Sequence, residues 1–113
     1  IKHKKAVNHI GWVLGVLTSV LYILCQEPTL SFWDSGEYIL TSSKLQVGHP
    51  PGAPLYQILG AFFSIFSFSN AKLIPILVGS LSAICSGATI MFLFWIIVRL
   101  MYRLSERYIS NII

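Results

Sequence analysis

The chain reads as an all-α integral membrane protein, and three observations lead there. Hydrophobic residues make up 55% of it, charged residues only 11%, and mean hydropathy is +0.72, outside the range of soluble globular domains. Residues 6–26, 45–71 and 73–98 contain no Lys, Arg, Asp or Glu. Six of the eight basic residues flank the outer ends of the first and third of these runs.

A spanning helix needs about 20 largely apolar residues at ~1.5 Å each. The first and third runs meet that length and are predicted transmembrane helices over 6–26 and 73–98. The middle run is interrupted by Gly48-His-Pro-Pro-Gly-Ala-Pro54. What remains, 55–68, would be roughly 21 Å long, short for a ~30 Å hydrocarbon core. With two spans, Lys2, Lys4 and Lys5 fall on the same side as Arg99, Arg103 and Arg107, as the positive-inside rule requires. Both ends are then cytoplasmic, 27–72 is an outer loop and 99–113 a basic cytoplasmic end of one membrane module, 1–113. A three-span reading, which splits the basic residues evenly, stays open.

The first span has the Lys-rich start of a signal peptide. Its exit, Leu24-Cys-Gln-Glu-Pro28, offers no small-x-small cleavage site, so the segment reads as a retained anchor. Cys25 and Cys85 fall in apolar helix at different depths, which argues for inert thiols and against a disulfide between them.

In the outer loop, Ser31-x-x-Asp34 resembles a capping box, with Thr29 or Ser31 as the cap. This predicts a surface helix over 32–47, stopped by Gly48 and by Pro50-Pro51. Asp34 and Glu37 would share one face of its first turns, where the helix dipole favours carboxylates, and Lys44 would sit near the opposite end. Pro54 suits a first helical turn and predicts a second short helix over 54–68. There Gln57, Gly60, Ser64 and Ser67 form a small-polar stripe opposite Leu55, Leu59, Phe62 and Phe66. Such a helix fits the membrane interface; the alternative is a true span packed on another helix. In the last span Gly79, Ala83 and Gly87 recur every four residues, the pattern of close helix contacts. That stripe, the opening Ile and the basic end all predict further helices beyond this stretch.

The residues alone leave Asp34 and Glu37, two of only four acids, between catalysis, ligand binding and plain capping. Trp33, Tyr38 and Tyr56 read first as interface aromatics, Lys44 as a snorkelling cation and His49 as a turn residue. No Cys/His cluster, Gly-rich nucleotide loop or serine triad is visible. No cofactor is evident and no metal ligand is assigned, with a divalent metal left open.

Glu27-Pro-Thr-x-Ser-Phe-Trp-Asp-Ser-Gly-Glu37, followed by Lys44-Leu-Gln-Val-Gly-His-Pro-Pro-Gly-Ala-Pro-Leu55 and by Leu93-Phe-Trp95, resembles the amino-terminal region of a large membrane-protein family. That family is abundant in Bacteroidetes and related to the protein O-mannosyltransferases of the GT-C superfamily. The likeness covers nearly the whole chain, although family members are several times longer. It implies the opening module of a GT-C-type multi-span helical bundle. It also implies transfer of a sugar from a polyprenyl-phosphate donor to an acceptor hydroxyl, often on a protein, at the non-cytoplasmic face. An essential Asp near the start of the first outer loop is a family feature, and Asp34 matches it. Glu37 matches the family's Glu. Trp33, Tyr38, Lys44 and His49 are then candidate substrate-binding residues, with Lys44 and His49 suited to the donor phosphate. The implied partners are membrane lipid, the lipid-linked sugar, an acceptor protein and further transmembrane helices, with no nucleic acid. The implied location is a bacterial inner membrane with 27–72 periplasmic, or alternatively the endoplasmic reticulum membrane. Two rival classes remain: a noncatalytic subunit of a larger complex, and a transporter or channel component with Asp34 and Glu37 binding a cation.

Overall fold

The computed structural model describes residues 3–29, 33–50 and 52–110. The order is α1 (Lys4–Cys25), α2 (Ser35–Lys44), α3 (Pro54–Ile65) and α4 (Ile74–Ser110), with no strand among the described residues. At 22 and 37 residues, α1 and α4 are long and apolar enough to cross a membrane. With 12 residues, α3 is about 18 Å long, well under the ~30 Å core. Together with a membrane-type composition, the two long helices make this a membrane protein.

The chain divides into two compact units, and α1 and α4 contribute to both. One comprises Ile1–Ser19 and Ile84–Ile113. Here α1 carries Gly11, Gly15 and Ser19, four residues apart, and they meet Trp95, Met91 and Gly87 of α4. A Cβ built on Gly11 would strike the Trp95 indole nitrogen, and one on Gly15 would lie 3.1 Å from Met91 Cβ. The stripe of small residues expected to await helices outside this stretch therefore has, at Gly87, a partner within the chain. Its complement on α1 escaped the sequence reading, although Gly11-x-x-x-Gly15 carries the same signal. Polar groups inside these apolar helices are satisfied locally: the Ser19 hydroxyl donates to Gly15 O at 2.9 Å and Thr89 to Cys85 O at 2.9 Å, the economical answer where water is absent.

The second unit, Val20–Ala83, holds α2 and α3 against the first turns of α4. Gly60 of α3 is buried, and a Cβ there would stand 2.7 Å from Ser42 Oγ and 3.4 Å from Val78 Cγ1. Val78 and Ser42 are themselves wholly buried. Gln26 Nε2 donates to Ile76 O at 2.9 Å, over Gly79, whose missing side chain leaves room for the amide. The Tyr38 and Tyr56 rings meet edge to face, with centroids 5.7 Å apart.

The helix expected over 32–47 is shorter at both ends. Ser31 and Phe32 lie outside the described residues, and Asp34, in the N-cap position of α2, makes no side-chain capping bond. The C-terminus falls at Lys44 because Leu45 turns into the left-handed region (φ 49°, ψ 46°). Gln46 N–H then donates to Thr41 O at 2.9 Å and Leu45 N–H to Ser42 O at 3.3 Å, a Schellman closure normally built on glycine. Gly48 lies beyond that stop. Likewise α3 ends at Ile65, after which Phe66, Ser67 and Phe68 donate to carbonyls three residues back. The basic stretch 99–110 is a continuation of α4.

The two faces of α3 should respond differently to a leucine. Gly60→Leu drives a branched side chain into Ser42 and Val78, whereas Phe62, 57% exposed, tolerates Leu. Overpacking at a filled contact costs about 1–3 kcal/mol, so Gly60→Leu lowers yield and detergent stability while Phe62→Leu leaves both near wild type. Equal tolerance would remove the Gly60 face as a packing surface.

Candidate functional site

The second unit gathers three of the predicted site residues. Asp34 precedes the first turn of α2, and Glu37 lies in that turn. His49 lies in the connection between α2 and α3. One ligand-type atom from each lies within 4.8 Å of the others.

Glu37 is bound twice by His49. The backbone N–H of His49 donates to Oε1 at 2.7 Å, and its imidazole Nδ1 stands 2.7 Å from Oε2. Gly48 permits this approach: a Cβ there would lie 3.0 Å from Glu37 Oε1 and 3.1 Å from Gln57 Nε2. Behind the pair, Gln57 donates to Thr41 Oγ1 at 3.1 Å and Thr41 to Glu37 O at 2.8 Å, tying α3 to α2. The turn reading of His49 agrees with its place between α2 and α3. It is a loop residue whose two donors hold a carboxylate.

The Asp34 carboxylate has no hydrogen bond or ion pair among the described residues and is exposed. Trp33, next to it, adopts a left-handed φ of 63° and is 94% exposed. So exposed an indole does not brace Asp34. Left-handed backbone at a bulky residue stores about 1–3 kcal/mol and collects at functional sites. Tyr38 turns toward Tyr56. Lys44 ends α2 ten residues from Asp34, about 15 Å along the axis, so it is not brought to the cluster.

The spacing of Asp34, Glu37 and His49 is one that a metal ion can use. Yet Glu37 Oε1 is committed to the His49 backbone N–H and Oε2 to His49 Nδ1, which leaves Asp34 and the far imidazole nitrogen as ready donors.

Charge follows the bonding. The His49 backbone N–H, then its side chain, holds the Glu37 carboxyl below its ordinary pKa, and the Glu37 hydrogen bond raises His49 above 6.5. Depression of Glu37 means its contribution is lost as pH falls through the lowered folded value; elevation of His49 means its own is lost as pH rises through the raised one. The loop is therefore held best between those limits. NMR titration of the His49 ring should give a pKa above 6.5, and Glu37→Gln should bring it back toward 6.5. A His49 pKa unmoved by Glu37→Gln would show that the pair does not form in solution.

Residues 34–111 match the family model described as the protein O-mannosyl-transferase TMEM260 N-terminal domain. Protein O-mannosyl-transferase tmem260 of Dictyostelium discoideum is 29% identical over 82 residues, which cover 73% of this chain and 10% of that protein. No solved structure matches. The chain thus spans about a tenth of the length of the curated relative it matches.

Proposed function

Because the chain belongs to the family defined by the TMEM260 N-terminal domain of protein O-mannosyl-transferases, we propose that it is the opening module of a glycosyltransferase. The module carries the carboxylate that activates the acceptor. In this reading a sugar passes from a polyprenyl-phosphate donor to a hydroxyl, on a protein, at the non-cytoplasmic face. The remaining helices of a GT-C-type bundle come from the rest of the protein.

One observation carries the residue assignment: of two neighbouring carboxylates, one is clamped and the other is not. Glu37 is held by His49 through both oxygens, whereas the Asp34 carboxylate makes no hydrogen bond or ion pair among the described residues and lies beside strained backbone. A base must have a free oxygen within reach of the proton it takes. Asp34 therefore serves as base, and Glu37 with His49 fixes the floor of the site. The acceptor oxygen bonds to the anomeric carbon as the bond to the donor phosphate breaks. The proton goes to Asp34, and lipid phosphate leaves with the electron pair. Such a centre is oxocarbenium-like, so the hydroxyl loses its proton late, to a carboxylate positioned within reach. In this reading Trp33, whose indole is exposed, stacks on an incoming sugar or lipid headgroup.

The test is transfer by the full-length protein in membranes. Radiolabelled mannose on a polyprenyl phosphate should appear on a hydroxyl-bearing acceptor protein, and mild alkali should not release it as lipid. Absence of transfer with every lipid-phosphate sugar tried, in a preparation that conducts cations across proteoliposomes, would favour the transporter reading.

A further inference from the structure

A cavity away from Asp34 lies in the unit formed by Ile1–Ser19 and Ile84–Ile113, and it is cationic. Lys4 and Lys5 in the first turn of α1 and Arg99 of α4 line a cavity of about 270 Å³ with Val7, Asn8 and Trp95, and no acid takes part. A second cavity, about 640 Å³, shares Lys4 and Arg99 and adds Arg103, with Ile96 and Leu100 as its apolar wall. Its one acid, Glu106, is hydrogen-bonded to Tyr102. Among the described residues none of Lys4, Lys5 and Arg99 has a carboxylate partner. Three unpaired cations facing one cavity repel each other unless an anion joins them.

We propose that this basic end of α1 and α4 is a binding site for an anionic phospholipid of the bilayer. Charge complementarity fixes the headgroup, and position fixes the lipid. Uncharged apolar sequence starts at Ala6 on α1 and ends at Val98 on α4, so the cations stand where the hydrocarbon gives way to water. Exposed Ile96 and Leu100, 60% and 57% accessible, run alongside Arg99 and Arg103 as a track for an acyl chain, and Trp95 is an aromatic of the kind that settles at this depth. The free N–H groups of the first turn of α1 add to the field that a phosphate meets. A soluble phosphate would use the cations and leave the apolar track uncovered. Juxtamembrane basic clusters and basic pockets between transmembrane helices hold anionic headgroups in this way.

The experiment is native mass spectrometry of the full-length protein released from mixed micelles of phosphatidylglycerol and phosphatidylcholine with the same acyl chains. The expected result is at least a roughly tenfold preference for phosphatidylglycerol in the wild type. It should fall to near parity in the triple variant Lys4→Gln, Lys5→Gln, Arg99→Gln and be unchanged in Lys72→Gln, a cation of the other unit. Excess inorganic phosphate should not displace the lipid. No preference in the wild type, an equal loss in Lys72→Gln, or full displacement by inorganic phosphate would each overturn the proposal, the last by showing an anion site without a lipid. Should the triple variant fail to fold, Lys5→Glu, at an exposed side chain, is read instead: a several-fold drop in preference supports the site and an unchanged preference overturns it. Transfer activity plays no part in the readout.

Discussion

Asp34→Asn in the full-length protein should lower sugar transfer by about 10²–10⁴-fold, the usual range for loss of a general base. Asn keeps the size and much of the hydrogen-bonding capacity of Asp and removes its charge and basicity. Donor binding should change little, because the proposed partner of the carboxylate is the acceptor hydroxyl. A capping role makes the opposite forecast, since Asn caps helices as well as Asp does; but Asp34 makes no side-chain capping bond to preserve. Turnover measured at saturating donor, with the donor Kd measured separately, distinguishes the two. Near-wild-type turnover in the Asn variant would defeat the assignment of Asp34 as base.

Gly87→Leu should be the most damaging packing change in the chain. A Cβ at this position would already collide with Ser19 Oγ and stand 2.5 Å from Gly15 O and 3.0 Å from Ser19 N. Two of those three atoms are backbone, so the strain cannot be relieved by turning a side chain. The helices would have to part, which undoes the Gly15–Met91 contact and exposes the Ser19 neighbourhood. A cost above the ~1–3 kcal/mol of ordinary overpacking follows. Detergent unfolding and monodisperse yield read it, with Ile97→Ala, at a 51% exposed side chain, as the comparison expected to stay near wild type. Equal stability of the two variants would show that α1 and α4 do not pack through Gly87.

How far the sequence alone reaches differs from residue to residue. Length and hydropathy place both ends of α1 and the start of α4 within a few residues, because about 20 apolar residues without charge have few other uses; they miss the end of α4 at Ser110, because the return of charge after Val98 marks where apolar sequence stops and not where a helix does. Pro54 marks the start of α3 because its ring fits only a first turn. The end of α2 is misplaced for a specific reason. Gly48 is the residue that best tolerates left-handed backbone, but the chain spends that conformation on Leu45, whose cost is met by the closure onto Thr41 and Ser42. The importance of Asp34 and Glu37 is visible from their motif. Their different situations are not, because the partner that separates them, His49, is 12 positions away and no local pattern announces a pairing across a loop. The unpaired cluster of Lys4, Lys5 and Arg99 is hidden for a similar reason: a charge rule sorts these residues to one side of a membrane without saying that they share a cavity.

The double grip of His49 on Glu37 also turns the chain between them into a closed ring. Its members are unequal. Val47 is 96% exposed and Gln46 is exposed as well, so side chains at the rim are open to drift. Ring size is another matter. Added residues between Lys44 and Gly48 would cost little in closure entropy, which grows only slowly with length, but they would shift the phase at which the His49 N–H and imidazole arrive together. Two donors presented to two oxygens at 2.7 Å each demand a matched orientation as well as a reachable distance. Evolution can therefore rewrite the letters of this segment more easily than it can change their number, and a conserved spacing between a Glu and a Gly-His pair would be a more durable mark of the family than the identity of anything in between.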